Sequence, residues 1–265
     1  MKIALMDSGI GLLAAAAMTR RLRPDADLVL SSDPDGMPWG PRTPEDLTAR
    51  ALSVARAAAA HRPDALVVAC NTASVHALPA LRAALEPAIP VIGTVPAIKP
   101  AAAGGGRVAI WATPATTGSP YQHGLIRDFA TGARVTEVPC PGLADAVERA
   151  DAEAVARTVA AAAALTPADV TDVVLGCTHY ELVEEAIRAA LAERTGGTRL
   201  TFHGSARPVA LQALRRAGAE PAPELPATGR LTVLSSGRPG RLPEAALTYA
   251  EGRLLAAGEY APVAG

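Results

Sequence analysis

Two cysteines stand in matching surroundings. Cys70 lies in Val67-Val68-Ala69-Cys70-Asn71-Thr72, and Cys177 in Val173-Val174-Leu175-Gly176-Cys177-Thr178-His179. Each is an apolar run ending in a thiol that is followed by a hydroxyl or amide side chain. A lone cysteine after an apolar strand is ordinarily a small core residue. Two in one context, each flanked by polar groups that would waste hydrogen bonds in a core, point to chemistry instead. Cys140, between Pro139 and Pro141, has no such companions and reads as packing.

Proton transfer is one chemistry that a pair of thiols can serve. Racemising an amino acid removes a weakly acidic α-proton from one face and returns one to the other, which two bases on opposite faces do most simply. A free thiol has a pKa near 8.5, so only a few per cent is thiolate at neutral pH and its neighbours must tune it. His179 lies two residues past Cys177, and Asp7 ends an earlier apolar run, where it can orient or accept the proton of Cys70. Asn71, Thr72 and Thr178 offer hydrogen bonds to an α-carboxylate, and helix N-termini expected directly after Thr72 and Tyr180 would add backbone N–H groups. Taken singly, His179 is equally a structural histidine, and Asp7-Ser8-Gly9 equally a cap and turn.

The elements that must position these groups follow from periodicity. Short apolar runs at 3–6, 28–31, 65–69, 91–92, 108–112, 135–138, 173–175, 200–202 and 231–234 read as strands buried on both faces. Between them, Ala/Leu/Arg-rich segments at 12–23, 44–61, 75–85, 144–149, 151–165, 182–194, 208–217 and 243–256 have the period of helices. That alternation predicts an α/β fold with mostly parallel sheets. An internal repeat is also visible: Asp7 to Cys70 spans 63 residues (70 − 7), and Thr113 to Cys177 spans 64 (177 − 113). Duplication of one α/β unit explains both distances, and it sets each cysteine at the carboxyl end of a strand, where open parallel sheets bind ligands. The expected domains are 1–96 with 207–265, carrying Asp7 and Cys70, and 97–206, carrying Cys177 and His179. The Pro/Ala/Gly-rich segment 96–106 is read as a linker.

Composition removes several function classes. Among 265 residues, 25 Lys and Arg face 26 Asp and Glu, a formal net charge of −1, so nothing favours nucleic acid or an anionic membrane as partner. Three cysteines argue against a disulfide framework and suit a reducing compartment. The apolar run before Asp7 is too short for a signal peptide, and the longest later one, at 154–165, falls short of the roughly 20 residues of a membrane span. A soluble cytoplasmic protein is expected. Only Lys2 and Lys99 are available for a pyridoxal-phosphate Schiff base, and neither stands in a suitable context. No second spaced pair joins Cys177 and His179 in a metal set, and Gly9 and Gly11 without a third glycine make a poor dinucleotide fingerprint. No cofactor and no metal are expected.

The stretches Asp7-Ser8-Gly9, Met37-Pro38-Trp39-Gly40, Val68-Ala69-Cys70-Asn71-Thr72-Ala73 and Leu175-Gly176-Cys177-Thr178-His179-Tyr180 resemble the aspartate/glutamate racemase superfamily, glutamate racemases most closely. The segment 231–247, with Ser235-Ser236-Gly237-Arg238-Pro239, is similar to the C-terminal strand and helix of those enzymes. The resemblance implies two pseudo-symmetric three-layer α/β domains with the active site in the cleft between them. It implies cofactor-independent conversion of L-glutamate to D-glutamate for peptidoglycan and cell-wall synthesis, Cys70 acting on the D-enantiomer and Cys177 on the L-enantiomer. Asp7 and His179 fall on the assisting acid and base, and Glu148 on a further acidic helper. Ser8, Trp39, Gly40, Asn71, Thr72 and Thr178 fall on substrate-binding positions, and Thr113 and Thr116 on the threonine turn of the second domain. A small amino acid is the implied partner, and a homodimer is an assembly the resemblance admits.

The chain also departs from the family pattern. Leu12 follows Gly11 where a second glycine is usual, and Trp39 stands where tyrosine is usual, enlarging one wall of the site. Glu181 replaces a proline and would bring a charge near the second thiol, and Gly93-Thr94-Val95-Pro96 lacks an acidic residue. None of these removes a catalytic group. Two rivals remain: a sister enzyme acting on aspartate, a hydantoin or a maleate-like diacid, and a non-catalytic small-molecule binding protein on the same scaffold.

Overall fold

The computed structural model describes residues 1–197 and 199–258, so residues 259–265 of the first expected domain lie outside the described residues. The chain divides into two compact units, one of Met1–Val95 with the segment from Ala206 onward, the other Pro96–Ser205.

The first unit runs β1 (Lys2–Asp7), α1 (Leu13–Leu22), β2 (Asp27–Ser32), α2 (Pro44–Ala59), β3 (Ala65–Val68), α3 (Asn71–His76), α4 (Leu78–Leu85) and β4 (Val91–Gly93). The second follows with α5 (Ile98–Ala102), β5 (Arg107–Ala112), α6 (Pro120–Phe129), β6 (Arg134–Pro139), α7 (Leu143–Glu148), α8 (Ala152–Leu165) and β7 (Asp172–Leu175). A 3-10 helix (Thr178–Val183), α9 (Glu184–Arg194) and β8 (Thr201–His203) complete it. The chain then returns to the first unit with α10 (Ala206–Arg216), β9 (Leu231–Ser235), β10 (Arg238–Pro239), α11 (Glu244–Leu247) and α12 (Ala250–Ala256).

The two sheets share one plan. The first has strand order β10-β9-β2-β1-β3-β4 and the second β6-β5-β7-β8, so the repeat 2-1-3-4 of the first unit recurs strand for strand in the second. All pairings are parallel except the β9–β10 hairpin. Strand register refines the repeat read from sequence. Met6 pairs with Val68, and Trp111 with Leu175, each two residues before a cysteine. The Ala69 N–H donates to the Met6 carbonyl and the Gly176 N–H to the Trp111 carbonyl, both at 2.8 Å. Asp7 is therefore equivalent to Ala112, and Ser8 to Thr113, one residue off the sequence alignment. Gly176 answers a close approach, because a Cβ there would lie 2.7 Å from the Trp111 carbonyl oxygen.

Each sheet is sandwiched between helices. Ala4, Met6, Leu66 and Val68 alternate onto one face of the first sheet and pack with Leu47, Ala51, Val54, Ala55 and Ala58 of α2. The small alanines let that helix approach the sheet closely, and burying Leu47 and Val54 stabilises by about 1.5–3 kcal/mol each. In the second unit Val108, Ile110 and Ala112 turn towards Ile98, Ala101 and Ala102 of α5. Trp111 points to the other face, where its indole N–H donates to Thr166 Oγ1 at 3.0 Å.

Some boundaries differ from the sequence reading. The segment read as a linker contains α5, whose Ile98, Ala101 and Ala102 are core residues. The helix expected at 75–85 is two helices broken at Ala77, and that at 243–256 is two, broken after Leu247. The helix α6 and the short β10 were not anticipated.

Candidate active site

Every candidate residue lies at or past the carboxyl end of a strand in its own sheet. In the first unit, Asp7 ends β1, Trp39 and Gly40 lie in the loop after β2, and Cys70 follows β3. In the second, Thr113 and Thr116 follow β5, Glu148 ends α7 after β6, and Cys177 follows β7.

Cys70 and Cys177 take up equivalent positions. Each has extended backbone, with φ −138° at Cys70 and −135° at Cys177, and each immediately precedes a helical segment, α3 or the 3-10 helix. The thiols themselves thus hold the cap positions, and the helical turns begin at Asn71 and Thr178 rather than after Thr72 and Tyr180. Cys70 is buried and Cys177 half-buried. Asn71 and Thr178 follow as buried polar groups, the pairing of polar residue with thiol that the sequence displayed.

The support given to each thiol differs. Beside Cys177, His179 Nδ1 lies 3.8 Å from the sulfur, and His179 Nε2 lies 2.8 Å from Glu148 Oε2. An ionised carboxylate only accepts, so beside an ionised Glu148 a neutral His179 carries its proton on Nε2 and turns the Nδ1 lone pair towards the thiol. Both side chains are largely buried, His179 at 10% exposure and Glu148 at 14%, so the pair is shielded from water. Glu148 is thus a bonded member of the second unit's cluster and not a solvated helix glutamate. In the first unit, Asp7 is buried at the end of the strand beside that of Cys70, with its Oδ1 accepting the Ser8 N–H at 2.7 Å. Its equivalent in the second unit is Ala112, so the acid there comes from a different element. Thr113 and Thr116 hydroxyls lie 3.2 Å apart and the Thr116 N–H donates to the Thr113 carbonyl, closing the expected turn.

Two of the departures have defined surroundings. Trp39 is 1% exposed, with its ring in the core beside α2, while Gly40 next to it is exposed. Glu181 directs its carboxylate to the end of β8, where Oε1 accepts both the N–H and the hydroxyl of Ser205 at 2.8 Å. The Cys140 thiol is buried at 1% exposure, and burial, then the nearby Cys177, pushes its pKa up to about 12. It is a packing residue in this structure. A residue absent from the sequence reading is Asp33, buried after β2 and hydrogen-bonded to Trp39. Its signal was its position: like Asp7, it is an aspartate closing a buried parallel strand.

Among the described residues no group of three or more His, Cys, Asp and Glu is arranged to hold a metal ion, and no helix is long and apolar enough to cross a membrane.

Comparison with known proteins places this geometry among relatives. The family described as Asp/Glu/Hydantoin racemase matches residues 11–201, a span that takes in both cysteines. Glutamate racemase of Roseiflexus sp. (strain RS-1) is 39% identical over 198 residues, covering 73% of this chain and 72% of that protein. The crystal structure of Escherichia coli glutamate racemase in complex with L-glutamate and an activator, UDP-MurNAc-Ala, matches with a TM-score of 0.74 at 29% identity, over 96% of this chain and 92% of that one. Glutamate racemase isoform RacE1 from Bacillus anthracis matches with a TM-score of 0.72 at 28% identity, over 99% and 97% of the two chains.

Proposed function

The chain belongs to the Asp/Glu/hydantoin racemase family, an isomerase family, and we propose that it interconverts L- and D-glutamate without a cofactor, using Cys70 and Cys177 as the two bases. The thiolate of one cysteine takes the α-proton, and the electron pair left on the α-carbon spreads into the α-carboxylate. The thiol of the other returns a proton to the opposite face. Cys177 acts on the L-enantiomer and Cys70 on the D-enantiomer. His179 takes the proton of Cys177 through Nδ1 and Glu148 steadies the resulting imidazolium, while Asp7 serves Cys70. Ser8, Gly40, Asn71, Thr72 and Thr178, with main chain held by Trp39 and the Thr113–Thr116 turn, hold the substrate's charged ends. Its role is to supply D-glutamate for peptidoglycan.

The observation that carries the reading is the Cys177–His179–Glu148 series at the end of β7, together with Cys70 at the equivalent end of β3. A binding protein has no use for two thiols at equivalent strand ends, one of them backed by an imidazole and a carboxylate. Glutamate as the substrate rests on the relatives, which are themselves glutamate racemases.

The test is incubation with L-glutamate in deuterated water. Racemisation with deuterium at the α-carbon is expected. Exchange confined to aspartate, a hydantoin or a diacid would move the protein to a sister activity, and no exchange on any of them would leave only a binding role.

A further inference from the structure

Asp33 gathers the loops around the first unit's candidate site onto one carboxylate. Its Oδ2 accepts the Trp39 indole N–H at 3.0 Å and lies 3.4 Å from an Arg50 guanidinium nitrogen, while its Oδ1 accepts the Ser236 hydroxyl at 2.9 Å. Its own N–H donates to the Ser8 carbonyl at 3.1 Å, and its carbonyl accepts the Gly36 N–H at 3.0 Å. Ser236, at φ 46° in the turn between β9 and β10, also accepts the Asp35 N–H through its hydroxyl at 3.1 Å. The side chain of Asp33 is only 6% exposed. A buried carboxylate is retained at a cost unless its lone pairs are met, and here both oxygens are met by donors from separate segments. Gly36 completes the arrangement, because a Cβ there would overlap both Asp33 Oδ2 and the Arg50 guanidinium.

We propose that Asp33 is a positioning residue that fixes the Ser8 and Trp39–Gly40 main chain against a substrate's charged end, through the Trp39 indole on one side and the Ser8 carbonyl on the other. The proposal rests on the reading above that Ser8 and Gly40 hold substrate. Asp33 itself moves no proton. It is distinct from Asp7, which closes the neighbouring strand and serves the thiol. The indole donor is what makes the clamp: Trp39 fills core space with its ring and uses its only polar atom on Asp33, so the backbone at Gly40 inherits the rigidity of the core.

Losing a positioning contact weakens binding of ground state and transition state alike, so it raises KM and leaves kcat nearly unchanged. Trp39→Phe keeps an aromatic ring in the core and removes only the donor. Gly36→Ala disturbs the carboxylate from the opposite side, and Asp33→Asn replaces the acceptor facing the indole. Each is expected to raise KM for both enantiomers about tenfold with kcat within about threefold of wild type. The Trp39 indole N–H resonance is expected to shift and exchange faster in Asp33→Asn. If Asp33→Asn does not fold, the other two variants decide. Wild-type KM in Trp39→Phe and Gly36→Ala, or a fall in kcat at constant KM, overturns the positioning role alone. A wild-type protein that turns over no candidate acid overturns the functional reading, and the positioning role with it.

Discussion

His179 stands between Cys177 and Glu148, with its two ring nitrogens engaged on opposite sides at 3.8 Å and 2.8 Å. Removing the carboxylate leaves the imidazole free to take the wrong tautomer. Glu148→Gln should lower kcat/KM about tenfold and Glu148→Ala roughly a hundredfold, within the range by which general acid–base groups contribute. Enantiomers are equal in energy, so the ratio of kcat/KM in the two directions stays at one. The loss must therefore be the same from L- and D-glutamate, which circular dichroism of each progress curve measures.

Serine at either thiol should abolish most turnover. A hydroxyl is a far weaker acid than a thiol, so Cys70→Ser and Cys177→Ser should each reduce kcat on the order of 10²–10⁴-fold. Neither should shift unfolding free energy by more than about 1 kcal/mol, since the side chains are of nearly equal volume. Near-wild-type turnover in either variant would end the two-base mechanism.

Cys140 makes an alkaline prediction. Its folded pKa is raised from 9.0 to about 12, so the folded state resists ionisation that the unfolded chain undergoes. Below pH 9 both states keep the proton and there is no effect. Between pH 9 and about 12 the unfolded chain loses its proton first, so stability falls as pH rises, at up to about 1.4 kcal/mol per pH unit. Urea unfolding followed from pH 8 to 10, below the range where the buried Tyr180 phenol adds a slope of the same sign, should show this fall, and Cys140→Ala should reduce it. In the native protein, iodoacetamide should label Cys177 well before Cys140.

Glu181 and Ser74 hold equivalent places, each four residues after one of the two paired cysteines. Ser74 Oγ accepts the Thr94 N–H at 2.8 Å, and Glu181 Oε1 accepts the Ser205 N–H at the same distance. Gly93 and Gly204 precede those acceptors' partners, and a Cβ at Gly204 would overlap the Glu181 carboxylate. Glu181→Ala removes the acceptor of the Ser205 N–H and hydroxyl and should cost about 1–2 kcal/mol in chemical denaturation, with Ser74→Ala at the lower end of that range. A stability unchanged by Glu181→Ala would mean that water replaces the carboxylate fully.

Nine strands were legible because each is a short apolar run bounded by polar residues, and both cysteines were legible because the polar residues after them interrupt that pattern. The linker reading failed at α5 because Pro96, Pro100 and the Gly104-Gly105-Gly106 run suggest a coil, whereas Ile98 and Ala101 are anchored by the sheet. The missed α6 carried a local signal in Ser119-Pro120: the Ser119 hydroxyl accepts the Gln122 N–H at 3.1 Å, with proline at the first helical position. Contacts between distant segments were not legible. Nothing local says that Ser236 will meet Asp33, or that Glu181 will spend its charge on Ser205, because strand order brings those partners together.

The two sheets share an order of strands, yet the candidate acid of the first unit, Asp7, ends β1 and that of the second, Glu148, ends α7. Once a copied fold no longer shares its helpers, each half is free to change by itself. Under the proposed two-base reaction, a substitution at Glu148 would act on Cys177 through His179 without any matching change at Asp7. Under the proposed reaction the two halves would still answer to one equilibrium, so a change beside either thiol would speed or slow both directions alike.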